Sequence, residues 1–346
     1  MKNTICPLPW INIAQTENGS CNVCNNNIVS TLGIVNEQTS TDFQQIRHEM
    51  LDGKVPSYCT KCFKEEEKGV KSKRLRALAE FQNFTPENAN PQPLKSIEVY
   101  SEFAKDIEDT SNVRYITFLE ENSLELKSHD TFLIDLYAKD QAKNISLTYN
   151  LNNLKGLDNK IINIWGQFKH VTFNVRIDGV DEKHNWFNPN MPFHTVGRLF
   201  DFLSGVKANH VDINVTAQVN LLTAPYLDRL ARWRRDSSFG LLNPKGELIN
   251  LQFDTNPNLD LRRLPMHLKG YTKLKIERLL DQHRADTLFN SNGRSMWQGI
   301  IEYMYSEDLS QNLPDTLNYL KEQDNKNNTN WKEVFPELSD IEDEVV

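Results

Sequence analysis

Apolar and polar residues alternate in six short runs in the middle of the chain. The runs are SIEVY (96–100), VRYITFL (113–119), NISLTY (144–149), HVTFNVRI (170–177), HVDINVTAQV (210–219) and LINLQF (248–253). Amphipathic segments of helical length, such as SHDTFLIDLYAKD and PFHTVGRLFDFLSG, separate most of them. Strands that alternate with helices are typical of βαβ units, in which the strands are parallel. The pattern therefore predicts an α/β fold whose mostly parallel sheet forms an open or partial (β/α) barrel.

The segments before and after this region have different patterns. Residues 1–90 are polar, with one clear amphipathic helix around TDFQQIRHEMLDG and a second helix predicted from Lys61 to Phe81. Proline and asparagine make residues 85–94 a predicted linker. We therefore expect a Cys-rich module at 1–90, an α/β partial barrel at 95–255, and a helical C-terminal region with an acidic tail at 256–346.

All five cysteines of the chain lie in the first module. Cys21 and Cys24 form one C-x-x-C pair, Cys59 and Cys62 form a second, and Cys6 stands apart. A two-residue spacer lets two thiolates face one metal, so the two pairs predict a four-thiolate metal or iron–sulfur site. Because the module is so polar, we expect it to bury too little apolar surface to fold unaided. Metal ligation would contribute about 10 kcal/mol or more to its free energy of folding. For Cys6 or Cys21 alone, a buried small hydrophobic residue is the alternative interpretation.

Composition and charge exclude some classes of function. The net charge of −8 argues against broad nucleic-acid binding, because phosphate contacts are built from clustered Lys and Arg. The basic stretch KGVKSKRLR is accordingly interpreted as the solvated face of a surface helix. No apolar run approaches the roughly 20 residues of a membrane-spanning helix, and MKNTICPLPW lacks the apolar core of a signal peptide. We therefore expect a cytoplasmic protein without membrane contact, whose thiols stay reduced.

The cysteine module matches a known family in its motifs. The chain reads Cys6-Pro-Leu-Pro-Trp10, then Gly19-x-x-x-x-Cys24, and then Cys59-x-x-Cys62 at the start of a charged helix. This arrangement resembles the auxiliary-cluster module of SPASM/twitch-type radical S-adenosylmethionine proteins, placed ahead of the barrel as in one subgroup. Further segments similar to that family are LTYNLN (147–152), FNVRIDGV (173–180) and NWKEVFPEL (330–338).

The resemblance implies a ligand set and a cofactor. The glycine spacing of the family selects Cys24 over Cys21, which makes Cys21 an extra or alternative thiol. The cofactor implied is a [4Fe–4S] cluster, whereas on spacing alone Zn²⁺ is the commoner occupant of two C-x-x-C pairs, so both cofactors stay open at about even odds. The implied ligands are Cys6, Cys24, Cys59 and Cys62.

The catalytic half of the family's design is missing from this chain. Its C-x-x-x-C-x-x-C motif would fall in SIEVYSEFAKDIEDTSNVRYITF, which contains no cysteine. The family's Gly-Gly-Glu-Pro would fall on Leu119-Glu120-Glu121-Asn122, without the glycines that permit close backbone approach. Arg176 stands where the family usually has a serine beside the ligand. We therefore expect that binding and cleavage of S-adenosylmethionine are lost.

One further cluster of polar residues follows a predicted strand. DGVDEKHNW holds Asp178, Asp181, Glu182, His184 and Trp186. Ligands of parallel α/β folds bind at loops after the strands, so these residues are a candidate pocket. The favoured alternative is a polar loop with a turn at its Asp-Gly pair.

Three functions remain open from the sequence. The first is a catalytically degenerate relative of the radical enzymes, which keeps a metal or iron–sulfur site and binds a protein or peptide partner. The second is an active enzyme that modifies a peptide or RNA with an atypical or partner-supplied cluster. The third is an interaction protein held together by Zn²⁺.

Overall fold

The architecture comes from a computed structural model of the chain. It describes residues 4–17, 20–25, 41–67, 71–107, 109–151, 153, 155–205, 211–236, 249–283 and 291–345. Side chains are described over the same ranges except for residues 204–205, 291–295 and 343–345.

Eight strands form one sheet in the order β2-β1-β3-β4-β5-β6-β7-β8. The pairs β1–β3, β3–β4, β4–β5 and β7–β8 are parallel, and β1–β2 is antiparallel. The predicted α/β fold with a mostly parallel sheet is therefore confirmed. The strands are β1 Asn12–Gln15, β2 Cys21–Asn22, β3 Ser96–Val99, β4 Tyr115–Phe118, β5 Ser146–Leu151, β6 His170–Arg176, β7 Val211–Val219 and β8 Asn250–Phe253.

The six predicted strands are all present, with ends within two residues of the prediction, but β1 and β2 were not predicted. The alternation of apolar and polar residues is not visible in β1, because two of its buried positions are polar. Asn12 is fully buried, and it donates hydrogen bonds to the Val23 carbonyl and to Glu98 Oε1, both at 2.9 Å. Hydrogen bonding removes most of the cost of burying the amide.

Helices alternate with many of the strands along the chain. One prediction is corrected here, because the helix expected from Lys61 to Phe81 is two helices, and Lys71 and Ser72 belong to neither. Ser72 is the N-cap residue just before the second helix, and its Oγ accepts a hydrogen bond from the Leu75 N–H at 3.2 Å. The described helices are α1 Leu8–Ile11, α2 Thr41–Leu51, α3 Thr60–Glu67, α4 Lys73–Glu80, α5 Lys127–Ala138, α6 Asn159–Trp165, α7 Glu182–Phe187, α8 Phe193–Gly205, α9 Leu227–Asp236, α10 Met266–Gln282, α11 Ser291–Tyr305, α12 Leu313–Asn327 and α13 Trp331–Val334.

The described residues divide into two compact units that cut across the three predicted segments. One contains the described residues within Met1–Glu67, Lys71–Asn174 and Val206–Asp212, and the other those within Val175–Gly205 and Ile213–Val346. The cysteine segment belongs to the first unit because β1 pairs in parallel with β3. None of the described helices has the length and apolar character needed to cross a membrane.

The sheet of the first unit has two different faces. Along β5 and β6 every second side chain is fully or almost fully buried and apolar. The side chains between them are polar and half-buried, and Asn174 Nδ2 donates to Asn150 Oδ1 at 3.1 Å across this second face. Alternate residues of a strand point to opposite faces. The polar face is formed by Ser146, Thr148, Asn150, His170, Thr172 and Asn174.

A buried aromatic cluster packs on the apolar face of the first unit. His129 of α5 is fully buried, and its Nε2 lies 3.0 Å from the hydroxyl of Tyr149. Trp165 donates its indole N–H to the same hydroxyl at 3.1 Å, and His129 Nδ1 lies 3.3 Å from Asp130 Oδ1. The neutral tautomer with its proton on Nδ1 satisfies all of these contacts, because Tyr149 then donates to Nε2.

Burial lowers the pKa of His129 to about 4, although Asp130 acts in the opposite direction. The unfolded chain takes up a proton near pH 6.5, whereas the folded chain does so only near pH 4, so the unfolded state binds more protons between these values. The contribution of His129 to stability is therefore complete above about pH 6.5 and is lost as the pH falls towards 4. The loss amounts to about 3 kcal/mol.

We expect His129→Gln to flatten the dependence of stability on pH between 6.5 and 4, because the titrating group is gone. Urea unfolding at pH 7, 5.5 and 4.5 measures this difference. His48→Gln, at an exposed position of α2, is the matched control and should keep the wild-type slope. Equal slopes for the wild type and His129→Gln would show that burial of this imidazole does not govern acid sensitivity.

The second unit is closed by its C-terminal segment. Trp331 and Phe335 are almost fully buried, and the ring of Phe335 lies 5.7 Å from that of Trp186. Asp324 accepts a hydrogen bond from the Trp186 indole at 3.3 Å and another from the Trp331 N–H at 2.9 Å. The segment NWKEVFPEL is therefore part of the packed core of this unit.

Candidate metal centre

Four cysteines from three separate stretches of backbone line one pocket of the first unit. Its empty space is about 410 Å³ including the open mouth. The cysteines share this lining with apolar side chains and with three cations. The lining residues are Cys6, Leu8, Pro9, Val23, Cys24, Met50, Tyr58, Cys59, Lys61, Cys62, Lys73 and Arg74.

Local structure explains how the second C-x-x-C pair faces the pocket. Pro56 precedes a 3-10 turn, Ser57–Cys59, and its carbonyl accepts a hydrogen bond from the Cys59 N–H at 2.9 Å. The chain continues directly into α3, whose first turn carries Cys62. One turn of helix brings residues three apart to the same side, so both thiols reach one pocket.

The first two cysteines reach the pocket from the start of the chain. Cys6 lies just before α1, and Cys24 follows β2 of the β1–β2 hairpin, in which Gln15 pairs with Cys21. Cys6 and Cys62 are buried, whereas Cys24 and Cys59 are half-buried. The site is therefore open to solvent on the side of Cys24 and Cys59.

The module around the pocket contains an apolar core, contrary to the expectation that it cannot bury enough apolar surface. Trp10 is fully buried, and Phe43, Ile46 and Met50 of α2 are each no more than 1% exposed. Apolar residues are few in this segment, but those present pack together in one buried cluster. The cluster contains Cys6, Leu8, Trp10, Ile11, Val23, Phe43, Ile46, Met50 and Ala77.

The thiols influence one another electrostatically. Burial raises the pKa of the Cys6 thiol well above its ordinary value, and Cys24, Cys59 and Cys62 raise it further. Burial also raises the pKa of Cys59, together with Cys24, Cys62 and the Glu49 carboxylate. Like charges at close range disfavour ionisation. The Cys6 and Cys59 thiols therefore stay protonated at neutral pH until a cation replaces their protons.

The donor set fits a thiophilic metal, but the thiols do not form a preassembled site. None of the five cysteines is in a disulfide. Within the described residues, no group of three or more His, Cys, Asp or Glu side chains is already placed to hold a metal ion. Thiolate sulfur is the preferred donor for Zn²⁺ and for iron–sulfur clusters. A bound group would require the four thiols to lose their protons and converge on one centre.

Cys21 differs from the other four cysteines. It is 3% exposed on β2 and does not contribute to the lining that the described residues form around the pocket. The pocket is thus lined by the four cysteines that the resemblance implies, and their ligation of a metal stays a prediction. Gly19, from which the resemblance selects Cys24, lies outside the described residues.

Positive side chains at the pocket correct one interpretation of the sequence. KGVKSKRLR was expected to be a solvated face, but Arg74 is 7% exposed and Lys73 is half-buried. Arg74 Nε donates to Glu66 Oε1 and its Nη1 to the Ile5 carbonyl, both at 3.0 Å. The segment before Cys6 is therefore fixed by the arginine. The sequence contained a signal for this position at the pocket, since these cations follow the second C-x-x-C pair closely along the chain.

The second cluster predicted from sequence is engaged in contacts within its own unit. Asp178 is 2% exposed and accepts hydrogen bonds from the Gln218 N–H at 2.7 Å, from Asn188 Nδ2 at 3.1 Å and from Arg176. His184 is fully buried, with its Nε2 2.8 Å from the Met191 carbonyl, and burial lowers its pKa.

The remaining members of this cluster are at the surface or in the core. Asp181 is exposed, has a φ of 56°, and lies 3.3 Å from Arg229 Nη2, whereas Glu182 is exposed at the start of α7. Trp186 is 8% exposed in the aromatic core described above. These contacts favour the interpretation as a turn, and a ligand pocket at Asp178, His184 and Trp186 stays a prediction.

The positions that align with the family's S-adenosylmethionine site also have internal partners. Glu120 Oε1 accepts a hydrogen bond from the Ser101 N–H at 2.7 Å in the first unit. In the second unit Arg176 pairs with Asp178 and donates from Nη2 to Gln218 Oε1 at 3.0 Å. Both side chains are thus held by neighbouring strand ends.

No protein-family model matches the chain, and neither curated proteins nor solved structures give a match. The resemblance to SPASM/twitch-type proteins therefore rests on the sequence motifs alone and stays a prediction.

Proposed function

We propose that the chain binds a metal centre through Cys6, Cys24, Cys59 and Cys62. The observation that carries this proposal is the pocket, because four thiols from three backbone stretches line it although their positions span 57 residues, from 6 to 62. Such convergence is expected for a ligand set and is unusual for cysteines that serve only as small apolar residues.

The centre that we propose is either Zn²⁺ or a [4Fe–4S] cluster. Zinc bound by thiolates would supply folding energy, whereas a cluster would in addition carry an electron. Tight apolar packing of the pocket by Leu8, Val23 and Met50 favours a structural role. Lys61 would offset part of the net negative charge of either centre, whereas Lys73 and Arg74 are already paired with Glu98 and Glu66.

The remaining parts of the proposal concern the whole chain. A Cys-rich metal module would precede an open, barrel-like sheet that serves as a scaffold for a protein or peptide partner in the cytoplasm. The polar, half-buried face of β5 and β6 supports this role, because a fully enclosed parallel sheet is usually apolar on both faces. The engaged side chains of Glu120 and Arg176 support loss of S-adenosylmethionine cleavage.

Metal analysis of protein purified without oxygen tests the proposal. We expect one equivalent of zinc per chain, or iron together with acid-labile sulfide, and no metal after all four proposed ligands are changed to serine. Zinc without sulfide would remove the cluster from the proposal, and iron with sulfide would remove zinc. Wild-type protein that contains neither metal, and takes up neither on reconstitution, would contradict the proposed function.

A further inference from the structure

A buried carboxylate lies beside the pocket, next to one of the proposed ligands. Glu98 of β3 is 3% exposed, and its Oε1 accepts the hydrogen bond from Asn12 Nδ2 at 2.9 Å. Its Oε2 is paired with the ammonium of Lys73, which lines the pocket at the start of α4. Asn12 is itself oriented by Ser96, whose hydroxyl donates to its Oδ1 at 2.6 Å. We call Glu98, Asn12 and Lys73 the Glu98 network.

The Glu98 network holds the backbone on both sides of Cys24. Before the cysteine, the Val23 carbonyl accepts a hydrogen bond from Asn12 Nδ2 at 2.9 Å. After it, the Asn25 N–H donates to Glu98 Oε2 at 3.3 Å, and the Asn25 side chain accepts from Lys73. Cys24 is therefore fixed by β1 of its own hairpin and by β3 and α4, which are distant in sequence.

Two of the other proposed ligands are positioned differently. Cys59 and Cys62 follow from a 3-10 turn and a helix, so local backbone structure alone places them. Cys24 follows a strand of only two residues and lies in no helix, so its direction depends on tertiary contacts. Partners that orient a ligand in this way commonly change metal affinity by about 10- to 100-fold when they are removed.

We propose that Glu98 is a positioning residue of the metal centre, which, through Asn12 and Lys73, aims the thiol of Cys24 at the three other thiols. This inference rests on the proposed function, because it concerns the same ligand set. On this proposal, Cys24 and not Cys21 is the metal ligand because a buried carboxylate orients it, in addition to the spacing in the sequence.

The test uses the full chain, Co²⁺ as the only added metal, and iodoacetamide as the probe of each thiol. In Co²⁺-loaded wild type we expect protection of all four ligand thiols. In Glu98→Gln we expect Cys24 to be alkylated nearly as fast as without metal, while Cys6, Cys59 and Cys62 stay protected. The thiolate-to-cobalt absorption per bound ion should fall, and affinity for Co²⁺ should drop by about 10- to 100-fold.

Glu102→Gln is the matched control, since Glu102 is exposed shortly after the same strand, and it should behave as wild type. If Glu98→Gln does not fold, Lys73→Gln carries the same expectation and Lys73→Arg should restore protection of Cys24. Protection of Cys24 in a folded Glu98→Gln or Lys73→Gln variant would overturn the positioning role alone. Wild type that binds no Co²⁺, and takes up neither zinc nor an iron–sulfur cluster on reconstitution, would overturn the proposed function, and this inference with it.

Discussion

Cys59→Ser and Cys62→Ser are each expected to abolish metal retention through purification. Either change removes one of the proposed thiolates, and hydroxyl oxygen is a poor donor for thiophilic metals. The binding free energy of structural thiolate sites is about 10 kcal/mol or more, so losing one ligand should cost several kcal/mol. Metal content per folded chain, with circular dichroism to confirm folding, measures the effect.

Cys21→Ser is the internal control for this prediction. Cys21 is buried on β2 and does not contribute to the described lining of the pocket, so its variant should keep the wild-type metal content. Its serine would cost some stability, because a hydroxyl replaces a buried thiol. A Cys21→Ser variant that loses as much metal as Cys59→Ser would show that the ligand set is wrong.

Trp10→Ala is expected to destabilise the cysteine module by about 3–5 kcal/mol, even in metal-free protein. Trp10 is fully buried, its indole N–H donates to the Asn88 carbonyl at 2.8 Å, and its ring lies 5.7 Å from that of Phe84. Removal of the ring leaves a cavity and a carbonyl without its donor. Amide hydrogen exchange along α2 reports this effect, because α2 supplies Phe43, Ile46 and Met50 to the same core.

Leu51→Ala provides the comparison, because Leu51 is 39% exposed on the same helix. Its truncation should change exchange along α2 only slightly. If Trp10→Ala leaves α2 protected in the metal-free chain, the apolar cluster does not support the module. If α2 instead lacks protection already in the metal-free wild type, metal ligation would be the main source of stability of the module.

Alternation of apolar residues was sufficient to predict six strands, since one face of each is buried and apolar. It missed β1 because Asn12 and Gln15 are buried polar residues whose partners are far away in sequence. It also joined α3 and α4 into one helix, because a single capping serine at position 72 interrupts an otherwise continuous helical pattern. Local patterns do not contain these tertiary hydrogen bonds and caps.

For the candidate site, sequence spacing predicted the two C-x-x-C pairs, and the family resemblance added Cys6. The roles proposed for Glu98 and Lys73 were not predictable, because these residues reach Asn25, next to Cys24, only after β1, β3 and α4 have assembled. Charge counting was misleading at Arg74, which is buried by contacts with Glu66 and Ile5. Burial of a cation depends on partners that composition does not reveal.

X-ray absorption spectroscopy at the edge of the metal found in purified protein tests the central claim most directly. We expect sulfur as the only neighbouring donor at about 2.3 Å for Zn²⁺, or sulfur with neighbouring iron for a cluster. The same spectrum is expected for Cys21→Ser. A shell that contains nitrogen or oxygen from the protein, or a spectrum that changes in Cys21→Ser, would contradict a centre bound by Cys6, Cys24, Cys59 and Cys62.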